Sequence, residues 1–177
     1  MVDLLIKAGV NPNARSDDGK TVLMFAAKSG DIPTIRTLLD SGADLSARDR
    51  HRATALIYAA REGNVDACKV LLDAGAKVDD GDETKWTALT WAVKKNQPEV
   101  AKLLIAAGAD VNIKDTEDLP LLHYAVESKS VEMVKLLLAA GANVKAKDQY
   151  GLTALVYAMK LQQPEIVRII KEAGGSY

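Results

Sequence analysis

The sequence predicts an all-α solenoid of stacked helix–turn–helix units. Three observations lead there. One seven-residue string recurs every 33 residues: TVLMFAA (21–27), TALIYAA (54–60), TALTWAV (87–93), PLLHYAV (120–126) and TALVYAM (153–159). A fixed period of this length marks one supersecondary unit stacked on copies of itself. Each copy also carries two apolar stripes at helical spacing, and each closes on a glycine.

The first helix of every copy rests on two positions. Leu23, Leu56, Leu89, Leu122 and Leu155 share one register, and Ala26, Ala59, Ala92, Ala125 and Ala158 follow three residues later. That spacing puts both on one helix face, and the small alanine lets neighbouring helices approach closely. Thr21, Thr54, Thr87 and Thr153 stand just before this helix, where a hydroxyl accepts from an otherwise unpaired N–H. Pro120 takes that place once, with the loss of one capping bond. The second helix reads from stripes such as Val65, Cys68, Leu71 and Leu72. Gly42, Gly75, Gly108, Gly141 and Gly174 close it, where a left-handed stop favours glycine. Neither helix can bury its apolar face alone, so the copies must stack.

The second half of the unit recurs as faithfully: LLDSGADLS (38–46), LLDAGAKVD (71–79), LIAAGADVN (104–112) and LLLAAGANVK (136–145). Together these strings resemble the ankyrin repeat. The resemblance covers nearly the whole chain as one domain. A partial repeat spans 1–15, with VDLLIKAGVNPNA at 2–14. Full repeats span 16–48, 49–81, 82–114 and 115–147, and a C-terminal repeat spans 148–177. The resemblance implies hairpin-like loops projecting to one side, with partners met on a concave face by the turn tips and the exposed end of the first helix.

Composition narrows the function classes. The chain is 48% hydrophobic and 27% charged, ordinary values for an ordered domain. A net charge of −1 gives no global pull toward nucleic acid or an anionic membrane. No apolar run reaches the roughly 18 residues that span a bilayer. One cysteine excludes an internal disulfide framework, and a cytoplasmic setting is expected.

Little in the chain points to catalysis. His51 and His123 lie more than two repeats apart and share no metal. His123 occupies the last position of the family's TPLH motif, which implies a hydrogen bond linking adjacent loops. Cys68 stands where the second helix normally buries a valine, so it reads as a small core residue. No glycine-rich phosphate loop is present, so no cofactor is expected. Asp49, Asp82, Asp115 and Asp148 recur by register, as turn formers do. Phe25, Tyr58, Trp91, Tyr124 and Tyr157 form an aromatic column. Stacked rings can bind nucleobases, but packing within the stack is favoured, since no strongly basic stripe accompanies them.

The binding surface follows from the family's exposed positions. They give Arg50, His51, Arg61, Trp86, Lys94, Lys95, Lys114, Leu119, Tyr150 and Leu152 as partner-contact candidates. The full set of such positions is net positive, while the chain is −1, so the partner is expected to be an acidic protein or peptide. The fifth position runs Lys20, Ala53, Trp86, Leu119, Leu152. Large apolar groups at a solvent-facing tip suggest binding anchors, against a plainer reading in which adjacent tips pack on one another. His51 falls at an exposed tip.

Departures from the pattern are informative. The tip glycine is present as Gly19 and Gly151 but is replaced by Arg52, Lys85 and Asp118. A left-handed backbone there costs a non-glycine residue about 1 kcal/mol. The family's proline is absent from every repeat, which argues for a natural framework rather than a consensus design. A non-catalytic protein-interaction module leads. A repeat scaffold from a larger protein comes next, then an engineered binder with the same interface. An enzyme or a nucleic-acid reader is distant. At the ends, Leu4, Leu5 and Ile6 have little cover and fast exchange is expected over 1–15. Lys171 places charge on the last helix. A monomer with weak end-to-end association is expected.

Overall fold

A computed structural model describes residues 11–176, and among these it contains α-helices and no named strand. The expectation for Leu4, Leu5 and Ile6 lies outside the described residues. The helices come in pairs: α1 (Val22–Ser29) with α2 (Ile32–Asp40), α3 (Ala55–Glu62) with α4 (Val65–Asp73), and α5 (Ala88–Lys94) with α6 (Pro98–Ala106). Then come α7 (Leu121–Glu127) with α8 (Val131–Ala139), and α9 (Ala154–Lys160) with α10 (Pro164–Glu172). First helices pack on first helices and second on second, giving two rows. The repeated leucines and alanines of the first helix are buried between units, as are Cys68, Leu71, Leu104 and Leu137 from the second.

The helix boundaries follow the expected chemistry with one correction. Thr21, Thr54 and Thr87 accept from the amides of Met24, Ile57 and Thr90 at 3.3, 3.4 and 3.3 Å. Pro120 caps α7 without a side-chain bond. Thr153 also makes no capping bond. Its hydroxyl instead donates to the Ser176 carbonyl at 2.9 Å, because the C-terminal tail folds back over the last repeat. Each second helix stops before a left-handed glycine, with φ of 81° at Gly42, 96° at Gly75, 89° at Gly108 and Gly141, and 87° at Gly174.

The loops form a continuous row. Isolated antiparallel bridges such as Lys114–Pro120 and Lys147–Thr153 make them hairpin-like. The tips of repeats one to four are joined edge to edge. Arg50 N donates to Asp18 O at 3.1 Å, Glu83 N to His51 O at 2.9 Å and Thr116 N to Thr84 O at 3.2 Å. The tip backbone is left-handed whatever residue it carries: φ is 80° at Gly19 and 76° at Gly151, but also 63° at Arg52, 62° at Lys85 and 57° at Asp118.

At the C-terminal end Lys171 is exposed, as its charge requires. The polar cap is incomplete, however, because Tyr150, Met159 and Leu161 of the same repeat are also exposed.

Candidate interaction surface

The leading aspartates organise this surface. One oxygen of each accepts two tip amides. Asp49 takes His51 and Ala53, both at 2.9 Å, and Asp115 takes Glu117 at 2.8 Å and Leu119 at 2.9 Å. The second oxygen takes a ring donor nine residues on. Tyr58 O–H reaches Asp49 at 2.6 Å, Trp91 Nε1–H reaches Asp82 at 2.9 Å and Tyr157 O–H reaches Asp148 at 2.8 Å. Tyr124 makes the same bond to Asp115. The recurring aspartate is therefore both a turn former and a lock on the helix that follows. Sequence reading found the first role and missed the second. Repeat one lacks both partners: Ser16 and Phe25 stand at these positions, and Phe25 is 49% exposed.

The lock shifts the groups that form it. Burial, and then the Asp49 hydrogen bond, push the Tyr58 hydroxyl far above its ordinary value. Tyr157 is pushed up to about 12 by burial and Asp148. Burial works against the Asp115 carboxylate, yet bonds from Tyr124 and the Leu119 and Glu117 amides outweigh it and lower its pKa.

From repeat two onward the aromatic column packs, whereas Phe25 of repeat one stands exposed. Tyr58 and Tyr124 are buried, and Trp91 and Tyr157 are half-buried. Cations cover three of the rings: Lys20 Nζ lies 5.8 Å from the Tyr58 centroid, the Arg61 guanidinium 5.0 Å from Trp91 and Lys94 Nζ 4.9 Å from Tyr124.

The fifth position does not stand in solvent, which corrects that part of the sequence reading. Ala53 is buried, and Trp86, Leu119 and Leu152 are half-buried. Trp86 wedges between tips, edge-on to Trp91 at 4.8 Å and to Tyr124 at 5.0 Å. Neighbouring rings supply the cover that periodicity alone does not reveal. Tyr150 differs: it is 75% exposed, at the tip of repeat five.

Several candidate charges carry internal partners. His51 Nδ1 meets Glu83 Oε1 at 2.7 Å, so both tips share one ion pair, and Glu83 raises the His51 pKa. Lys94 pairs with Glu127 at 2.9 Å, and Arg61 lies 3.8 Å from Glu62. Lys114 donates to the Lys147 carbonyl at 2.8 Å, tying two loops together instead of standing as a flanking charge. Arg50 and Lys95 are exposed and take part in no ion pair among the described residues.

His123 links loops through Nε2, 3.0 Å from the Leu152 carbonyl, and burial lowers its pKa. Cys68 is fully buried, and desolvation raises its thiol to about 12. Among the described residues no cluster of three or more His, Cys, Asp or Glu side chains has metal-binding geometry, and no helix is long and apolar enough to cross a membrane. Two further links escaped sequence reading. Asn64 donates to the Ala27 and Lys28 carbonyls at 3.0 and 2.9 Å, and Gln163 donates to Val126 O at 3.0 Å. Each caps the first helix of the preceding repeat, and their shared register was the available signal.

A family profile for ankyrin repeats, three copies, matches residues 1–82, 48–115 and 111–176. The chain belongs to the ankyrin-repeat family. No curated protein matches it. Ankyrin repeats generally serve as protein–protein interaction modules and are typically non-catalytic. In this ankyrin domain the Asp-to-ring locks, cation-covered rings and joined tips run along the first-helix row.

Proposed function

We propose that this ankyrin domain is a non-catalytic module that takes an acidic protein or peptide segment along its concave, first-helix face. One observation carries the reading: cations lie over successive rings, Arg61 over Trp91 and Lys94 over Tyr124. The rings hold these cations in place, and a partner carboxylate would compete with Glu127 for Lys94 and with Glu62 for Arg61 at a pre-positioned site beside apolar surface. Arg50 and Lys95 extend the positive character, and the half-buried Trp86 and the exposed Tyr150 ring supply apolar contact.

Charge of this kind acts chiefly on encounter. The test uses a partner isolated from native lysate and then purified. Binding rates are compared for the natural chain and Arg61→Glu/Lys95→Glu. The on-rate is expected to fall by about tenfold or more and to drop with salt, while the off-rate changes little. An unchanged on-rate removes the acidic-partner reading.

A further inference from the structure

A basic side chain recurs at the residue preceding the leading aspartate position: Arg15, Arg48, Lys114 and Lys147. The third member of the series is Gly81. Arg15, Arg48 and Lys114 each donate forward to the same carbonyl one repeat on. Arg15 Nη1 reaches Arg48 O at 2.7 Å, Arg48 Nη1 reaches Gly81 O at 2.7 Å and Lys114 Nζ reaches Lys147 O at 2.8 Å. The arginines also donate to the tip carbonyl four residues on, Gly19 O at 2.9 Å and Arg52 O at 3.0 Å. These side chains form a cationic ladder that stitches the loops. By register, the carbonyls facing Gly81 are those of Lys85 and Lys114, and glycine brings them no donor.

The space beside Gly81 is an open cleft of about 450 Å³, with Arg48, Asp79, Gly81, Lys85 and Lys114 among its lining. Gly81 is not there for a left-handed turn, since its φ is not positive. It allows a close approach: a Cβ at this position would lie 3.2 Å from the Lys85 carbonyl oxygen.

The charge at this junction changes in the matching direction. Asp80 stands where the other junctions have Ala14, Ala47, Ile113 and Ala146, and Asp79 where they have Asn13, Ser46, Asn112 and Lys145. Asp80 pairs with Arg48 at 2.8 Å. Asp79 accepts from Asp110 N through one oxygen at 3.0 Å and has its second oxygen to offer. The junction that loses a cation is the one that gains two carboxylates.

We infer that this cleft receives an arginine side chain of a binding partner, which completes the cationic ladder in trans. The guanidinium fits better than an ammonium. Its planar set of five donors serves two carbonyls and a carboxylate together, and within the ladder the arginines make two carbonyl bonds where Lys114 makes one. Arg52 and Lys85 also line the cleft, but both are exposed, and the high dielectric of water weakens the repulsion between exposed charges. The fixed carbonyl acceptors are directional and are not weakened in that way. The site lies on the loop row beside the concave face proposed above, and the two share Asp82 and Glu83.

The probe is acetyl-Gly-Arg-Gly-amide, with the citrulline peptide as its uncharged match, titrated into the isotopically labelled full chain and followed by amide shifts. Saturable shifts are expected for the arginine peptide alone, centred on Gly81, Asp82, Lys85 and Lys114, with a Kd of order 1–10 mM for one side chain. Asp79→Asn, which keeps the backbone intact, should weaken binding about fivefold; Gly81→Lys, which supplies the cation in cis, should abolish it, while Gly81→Ala, which adds the same Cβ beside Lys85 without a cation, should not. The inference is overturned by no saturable shift up to about 50 mM or by an equal response to citrulline. It is also overturned by shifts centred on Trp91 and Tyr124, which would place the peptide on the concave face instead.

Discussion

Tyr58 donates its hydroxyl hydrogen to Asp49 Oδ2 at 2.6 Å, while Oδ1 of the same carboxylate holds the tip amides of His51 and Ala53. One side chain thus fixes the tip and locks it to α3. Tyr58→Phe leaves a buried carboxylate oxygen without its donor and should cost about 1–3 kcal/mol of stability. Phe25→Tyr should change stability by less than about 0.5 kcal/mol, because Ser16 offers that ring no carboxylate. Denaturant unfolding of both variants checks the pair. A loss for Tyr58→Phe no larger than the change for Phe25→Tyr would show that the lock is not a stabilising element.

The tip backbone is left-handed at Lys85, with φ 62°, and at Gly151, with φ 76°. Lys85→Gly should therefore stabilise the chain by about 0.5–1 kcal/mol, the relief of strain exceeding the entropy of an unfolded glycine. Gly151→Lys is the reverse experiment, made clean because nothing lies within 4 Å of a Cβ there. It should destabilise by about 1 kcal/mol. Unfolding midpoints at equal slope give both values, and changes of the same sign would contradict the strain argument.

The two histidines should titrate on opposite sides of the ordinary value of 6.5. The Glu83 hydrogen bond raises His51, and burial lowers His123. The signs differ in their consequences. The His51–Glu83 contribution is fully present below pH 6.5 and is lost as pH rises through the raised folded value. His123 folds neutral, so its contribution is full above pH 6.5 and is lost as pH falls from there toward the lowered folded value. Imidazole proton shifts, with Glu83→Gln as control, read both. A His51 pKa unmoved by Glu83→Gln would break the tip-to-tip pair.

Trp86 touches Trp91 and Tyr124 and is only half-buried, so its truncation should act twice. Trp86→Ala should lower stability by about 2 kcal/mol through lost ring contacts. It should also lower affinity for the purified partner by about 2 kcal/mol. Stability lost with affinity intact would make Trp86 a packing wedge between tips and nothing more.

The fold was legible because its determinants repeat. Thr21, Thr54 and Thr87, the Leu and Ala registers, and Gly42 to Gly174 all act within one unit, so their spacing reveals their role. What escaped depends on neighbours. The Asp49–Tyr58 lock crosses from loop to helix and follows neither helical nor strand period. Burial at Trp86 is decided by rings on other elements. Lys114 looked like a surface charge because its acceptor, Lys147 O, lies a full repeat away. Thr153 lost its capping role to a tail carbonyl that no repeat pattern contains. The left-handed tip at Lys85 was legible only through the glycines that occupy the same register elsewhere.

The central claim is that partners are held along the first-helix face. Site-specific photo-crosslinking tests it most directly. A benzophenone side chain is placed in the full chain at Lys95, at the C-terminal end of α5, or at Lys135, exposed on α8. After mixing with the purified partner, the account predicts adducts from Lys95, suppressed by Arg61→Glu/Lys94→Glu, and none from Lys135. Adducts from Lys135 with none from Lys95 would contradict it.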